Sequence, residues 1–478
     1  MAAFPHTLRI DLFYGPLVCF LGSLDVRLFG LSATSWRLLG FMGATGTVFA
    51  ASWVSRCLDR SPVVMAAAAM LVTLSQGMGA RATSGRLDAI TVMLELLSLA
   101  CALRTMQVHE LKRSLFVYAP LAGVFCGLAA LSTPRAFPFI MGLFVALGLE
   151  SVSARKPESV ARTLIIGTTA LLPVWAWTLS RGISPIGWLR LIAVLSRGDK
   201  LSVSPMLHGS WHFFDEPLVP LASGLLFTFV MVLVFGSAIV AGRRILQTEG
   251  RDVSSAIKLA SIGVFINYVA SFLTIARFWD YEIFVVPLVI PILIAWTAKL
   301  LRSNGPSPLA RIVVGSWLIL AIVLVTIRSG KVVAWLVSYD ERNPQPLHDF
   351  VSRHVPSNSR VFGPEDYYFY AVEAAGSHYR FLRPRITSGL VSKLDHDLDW
   401  REQLNDGRPV YLIWPKGDPL PHNLVQANLL LEASFAAKLG KEPARWRKAG
   451  WGSGYPPTNL YRIVDNPSAE KGPVNKRP

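Results

Sequence analysis

The sequence predicts an α-helical polytopic membrane protein whose C-terminal portion folds as an α/β domain outside the membrane. Three observations carry this. Hydrophobic residues make up 52% of the 478 positions, only 16% are charged and the mean hydropathy is +0.41, too apolar for a water-soluble chain of this size. Charge-free stretches recur at 61–80, 114–134, 217–242 and 259–276, each near or above the ~20 residues needed to cross ~30 Å of hydrocarbon. The basic residues behind the formal charge of +16 sit largely in short loops between apolar segments, which argues for a lipid bilayer as partner and against nucleic acid.

Residues 1–35 read as an external lead-in. They carry charge and a proline and show no cleavable signal peptide. Within them, 14–30 is apolar enough to span, but Asp25 and Arg27 argue for a helix lying at the interface.

The helical body occupies 36–335, with spans expected at 36–55, 61–80, 87–103, 115–133, 136–149, 163–180, 218–242, 257–276, 281–298 and 312–330. Alternate loops hold Arg56 and Arg60; Arg104, Lys112 and Arg113; Arg155, Lys156 and Arg162; Arg243, Arg244 and Arg251; Lys299, Arg302 and Arg311. The positive-inside rule makes these loops cytoplasmic and leaves both chain ends outside a cell inner membrane. Cys19, Cys57, Cys101 and Cys126 lie in or beside apolar segments without metal-binding spacing, and read as small core residues.

Residues 340–466 form the outer domain. "PLHDFVSRHVP" reads as a short amphipathic helix, and "SRVFG", "PVYLIW" and "NLYRIV" as strands. The tail 467–478 is polar and proline-bearing, the composition of a disordered segment.

Ionisable groups cluster where spans meet the outer face, and such groups are functional candidates because their desolvation is costly. "RATSGRLDAITVMLELL" places Arg81, Arg86 and Asp88 at a helix mouth, with Glu95 two turns deeper on the same face, about 10 Å along the axis. Two readings stand: Asp88 charges a helix N-terminus while Glu95 pairs within the bundle, or the group is an acid-and-arginine site open to the outside. The loop 181–217 contains "HGSWHFFDEP", where His208 and His212 are four apart. This pair suits a divalent-metal cluster if helical, although glycine and proline nearby favour an ordinary loop. In "ARFWDYEIFVVPLVIP", Arg277 and Tyr281 stand at another outer boundary. They suit an interfacial aromatic belt or a lipid phosphate gripped by arginine.

The stretch 11–58 resembles a segment of the GT-C glycosyltransferases of the protein mannosyltransferase and lipid A aminoarabinose transferase type, the family 39-like group. There a Gly-Pro-Leu or Pro-Pro-Leu leads into a helix ending Phe-Gly, followed by an Arg-Leu. The matching residues here are Gly15, Pro16, Leu17, Phe29, Gly30, Arg37 and Leu38. "GRLDAITVMLELLSLACAL" is similar to the family's outer-face Asp segment, and "ARFWDYEIFVVPLVIP" to its Tyr-then-Pro segment.

The resemblance implies an enzyme that moves a sugar from a polyprenyl-phosphate donor to an extracytoplasmic lipid, glycan or protein acceptor, with inversion at the anomeric carbon. A carboxylate would activate the acceptor hydroxyl, with Asp11 and Asp88 the candidates. Arg9, Tyr14, Arg81, Arg86, Arg277 and Tyr281 would bind substrate. A divalent metal ion is the one cofactor it leaves room for, with His208 and His212 as ligands. The family's first span and acidic loop have no counterpart before Gly15. The expectation is therefore that the true start lies upstream of Met1, or that Asp11 substitutes, or that the chain is an inactive relative serving envelope assembly. A lipid-linked glycan ligase or a transporter is the competing class, and no internal repeat favours the latter.

Overall fold

The structure, a computed structural model, describes residues 15–30, 33–75, 77–78, 87–108, 110–182, 184, 186–187, 218–248, 250–274, 283–304, 307–337, 345–363, 378–381, 407–416, 420, 428–436 and 457–464. Two compact units divide between Arg328 and Ser329.

The first unit is helical. Its elements are α1 Pro16–Phe29, α2 Ala33–Leu58, α3 Pro62–Leu74, α4 Asp88–Gln107, α5 Leu111–Ser132, α6 Phe137–Ala154, α7 Pro157–Ser180, α8 Leu218–Thr248, α9 Arg251–Thr274, α10 Val286–Asn304 and α11 Pro308–Val337, which runs past the boundary. Each of the ten expected spans falls on one of these helices. Among the described residues eight helices are long and apolar enough to cross a membrane by length and composition, and α3 and the Leu225–Val240 part of α8 are shorter apolar helices. The protein is a multi-pass membrane protein.

Two boundaries differ from expectation for local reasons. The span expected at 61–80 stops at Leu74, because Arg328 of α11 caps it: its Nε donates to Leu74 O at 3.2 Å and its Nη2 to Ser75 O. A cation at the last carbonyls of a helix satisfies acceptors that have no partner within it. The span expected from 281 starts at Val286 after a short turn at 283–285, with Pro287 in the first turn, where its missing N–H costs nothing.

The bundle is apolar on both sides of its wall. A buried cluster runs through α2, α3, α4, α6, α9 and α10, while Phe49, Leu164, Leu179, Ile239 and Val240 are exposed on the outside, as lipid-facing residues are. α4 is the central helix, with 15 of its 20 residues buried. Small residues let α2 press against it: a methyl at Gly43 would overlap Ile90, and one at Gly46 would overlap the Met93 side chain.

Contacts sort the helix ends. Gln107 Nε2 donates to Cys57 O, and Arg302 pairs with Asp59, so the basic ends of α2, α4 and α10 meet at one end of the bundle. At the other end, Val18, Leu87, Ile90, Ala129 and Ala136 pack together.

The second unit holds α12 Gln345–His354 and a mixed five-stranded sheet of order β2-β1-β3-β5-β4, formed by β1 Arg360–Gly363, β2 His378–Phe381, β3 Val410–Pro415, β4 Asn428–Phe435 and β5 Thr458–Val464. β1 pairs in parallel with β2 and β3, and β5 lies antiparallel between β3 and β4. Alternation along β3 sends Tyr411 and Ile413 to the face covered by Leu347, Phe350 and Val351 of α12. Val410, Leu412 and Trp414 point to the other face. The expected helix and three strands are present. β2 and β4 are additional edge strands.

Candidate functional site

Of the predicted site residues, Asp88 alone lies among the described residues. Asp88 is the first residue of α4 and is buried. Its carboxylate stands at the positive end of the helix dipole, where a negative charge is stabilised. The helix end is held from the side: Thr47 Oγ1 of α2 lies 2.8 Å from Gly43 O and 2.9 Å from Ala89 O, sharing its proton between them.

The Gly-Pro-Leu stretch docks at this same end. Gly15 adopts φ 71 just before α1, and a methyl there would overlap the carbonyl oxygens of Leu131 and Ser132 at the end of α5. Only glycine combines that backbone conformation with that approach. Pro16 then occupies the first position of α1. The helix has 14 residues, too short to cross a bilayer, and closes on Gly30 at φ 78. One stripe of it is buried, Val18, Gly22 and Asp25, while Phe20, Leu28 and Phe29 are exposed. Among the described residues neither carboxylate oxygen of Asp25 has a hydrogen-bond partner, and burial raises its carboxyl above its ordinary value.

Glu95, two turns below Asp88, is fully buried, and among the described residues neither of its oxygens has a hydrogen-bond partner. Its neighbourhood includes Ser98, whose Oγ donates to Ala122 O at 2.8 Å.

Arg135 was not singled out from the sequence. It lies in the Pro134–Ala136 turn between α5 and α6, next to Ala136, which packs with Leu87 and Ile90. That places a half-buried cation at the Asp88 end. The signal was present: "STPRAFP" carries one charge in a linker remote from the basic loops.

Arg9, Asp11, Tyr14, Arg81, Arg86, His208, His212, Arg277 and Tyr281 lie outside the described residues. Among the described residues no group of three or more His, Cys, Asp or Glu side chains could hold a metal ion.

No family model matches the chain, and no curated protein matches it. Solved structures do. The fold is that of the GT-C membrane glycosyltransferases. The ArnT of Cupriavidus metallidurans in its apo state aligns at TM-score 0.50 with 10% identity, over 95% of this chain and 88% of that one. The same protein bound to undecaprenyl phosphate aligns at 0.52 with 11% identity, over 94% and 88%. The oligosaccharyltransferase of Archaeoglobus fulgidus in complex with Zn and sulfate aligns at 0.44 with 15% identity, over 84% and 59%.

Proposed function

We propose that the protein is a membrane glycosyltransferase that moves a sugar from a polyprenyl-phosphate donor to an acceptor hydroxyl outside the cytoplasmic membrane. The acceptor is a lipid, glycan or protein. The observation that supports this most is the GT-C fold extending over 94% of the chain, with Asp88 and Arg135 at one end of the bundle. The ArnT structure contains undecaprenyl phosphate, and the same lipid class is carried over to this chain as donor.

In this reading a carboxylate, Asp11 or Asp88, takes the proton of the acceptor hydroxyl from within ~2.6–3.2 Å. The oxygen attacks the anomeric carbon as the bond from that carbon to the phosphate oxygen breaks, inverting the centre. The polyprenyl phosphate leaves with the bonding electron pair. Arg81, Arg86, Arg277 and Arg135 hold that phosphate through charge-assisted hydrogen bonds, and Arg9, Tyr14 and Tyr281 line the substrate. His208 and His212 would hold a divalent ion, which would supply positive charge beside the phosphate. The basic end of the bundle then faces the cytoplasm, and the C-terminal unit lies outside the inner membrane.

The test is transfer from a radiolabelled polyprenyl-phosphate sugar by the full chain in membranes. Asp11→Asn and Asp88→Asn are compared with the parent. Loss of ~10²–10⁴-fold in one of them with donor binding retained identifies the base. Full transfer by both variants removes both assignments. Absence of transfer in every version, including one extended upstream, favours an envelope-assembly role without catalysis.

A further inference from the structure

The end of the bundle opposite Asp88 contains a second candidate site. A cavity of about 220 Å³ opens between the C-terminal ends of α4 and α6 and the N-terminal ends of α7 and α9. Eleven of its fourteen lining residues are polar. The cavity is open at its mouth, and its polar lining suits a charged or hydrated ligand rather than an acyl chain.

The charge is one-sided. Lys156, Arg162 and Lys258 line the cavity against a single carboxylate, Glu150. Lys156 and Lys258 are exposed, so their ammonium groups keep their hydration until something binds. Arg162 is mostly buried, and among the described residues its Nε is a buried N–H with no hydrogen-bond partner. It makes an ion-pair contact with Glu158, one turn away at 3.9 Å. A guanidinium left with an unsatisfied N–H in a polar cavity is suited to an oxyanion.

Hydroxyl groups add to this: Ser159 of α7 and Ser254 and Ser255 of α9 stand on the same cavity wall. The wall is also pinned. Ser151 Oγ and Thr163 Oγ1 are 2.9 Å apart across the α6–α7 corner, and Ser254 Oγ donates to Leu246 O at 2.8 Å.

We propose that this cavity binds a phosphate ester, held by Arg162, Lys156 and Lys258 at the basic end of the bundle. Phosphate fits because it offers several acceptor oxygens to a fork of guanidinium donors, to two ammonium groups and to the serine hydroxyls at once. The cavity lies where four spans end, so the phosphate comes either from a phospholipid headgroup in the adjoining leaflet or from a soluble phosphate ester. The site is separate from the proposed transfer site, and its test reads binding rather than transfer, so either reading can fail alone.

The experiment uses the full chain purified in detergent and native mass spectrometry. The probes are phosphatidylglycerol, diacylglycerol with the same acyl chains, glycerol 3-phosphate and inorganic phosphate. One saturable phosphatidylglycerol or glycerol 3-phosphate per chain is expected, at least tenfold tighter than its phosphate-free counterpart. Arg162→Gln should weaken it at least tenfold. So should the double variant Lys156→Gln/Lys258→Gln, whose exposed positions leave folding intact. Displacement of the lipid by millimolar glycerol 3-phosphate or inorganic phosphate assigns the site to soluble esters, and resistance to displacement assigns it to the headgroup. The proposal is overturned if phosphate-bearing probes do not saturate at one per chain, or if the double variant, folded by its thermal melt, binds them as the parent does.

Discussion

Thr47 Oγ1 sits 2.9 Å from the carbonyl oxygen of Ala89, the residue that follows Asp88. The contact joins α2 to the first turn of α4 at the point where the candidate carboxylate is displayed. This hydroxyl adds a directional tie to the close packing of Gly43 on Ile90 and Gly46 on Met93. Thr47→Val keeps the branched shape and removes the donor, at a cost of ~1 kcal/mol. Thermal unfolding in detergent should register that small loss. If Asp88 is the base, transfer should fall further than the stability change accounts for, while Thr47→Ser should retain most of both. Unchanged melting for Thr47→Val would show that the contact contributes nothing.

Gly15→Ala should be among the most damaging single changes in the chain. It combines a left-handed backbone, ~1–3 kcal/mol for a residue with a side chain, with overlap against two carbonyl oxygens. Protease sensitivity between α1 and α2 is the readout, and an unaltered digestion pattern would contradict the docking of α1 described above. Gly30→Ala is the control, since its φ of 78 carries the same backbone cost but nothing lies within contact distance.

At the basic end, Asp59 and Arg302 form a two-pronged pair. Nη1 lies 2.8 Å from Oδ2 and Nη2 lies 3.0 Å from Oδ1, which also accepts the Ser61 N–H at 2.9 Å. The carboxylate is almost fully buried and the guanidinium half exposed. Arg302→Ala leaves a buried carboxylate with one hydrogen bond and should cost ~1–3 kcal/mol. Arg302→Ala combined with Asp59→Asn should recover part of it. A double variant less stable than Arg302→Ala alone would refute that account.

Asp25 supplies the pH prediction. Its carboxyl is raised above its ordinary value by burial, so the folded state favours the protonated form. Stability from this residue is complete below the unfolded value of about 4 and is lost as pH rises through the folded value. Asp25→Asn should therefore melt higher than the parent at pH 7, with the difference shrinking as pH falls toward ~4. A difference that does not change with pH would assign the effect to something other than titration.

The spans were legible because a bilayer imposes one length and one composition on every helix that crosses it. What escaped the sequence depends on partners far along the chain. α3 is shorter than its apolar run because Arg328, about 250 residues later, takes up its last carbonyls. β4 was hidden by a register shift between Leu431 and Ala433, which breaks the alternation that marks a strand. β2 is four residues long and has no pattern to read. The site divided similarly. Asp88 was identifiable as an acid at a helix mouth. The lone charge of Arg135 in "STPRAFP" was legible, but nothing local shows that its turn packs beside Leu87.

The junction at Gly15 bears on how a chain can share a fold with ArnT at 10–11% identity. Gly15 rests on the main-chain oxygens of Leu131 and Ser132, not on their side chains. Every amino acid carries that oxygen, so the seat imposes no residue type on the helix that provides it. As a seat the constraint is one-sided: it requires glycine at 15, while Leu131 and Ser132 are held to their own roles by packing with Val174 and by the hydroxyl bond to Leu128 O. Seating backbone on backbone makes this joint depend on one residue rather than on a matched pair of side chains.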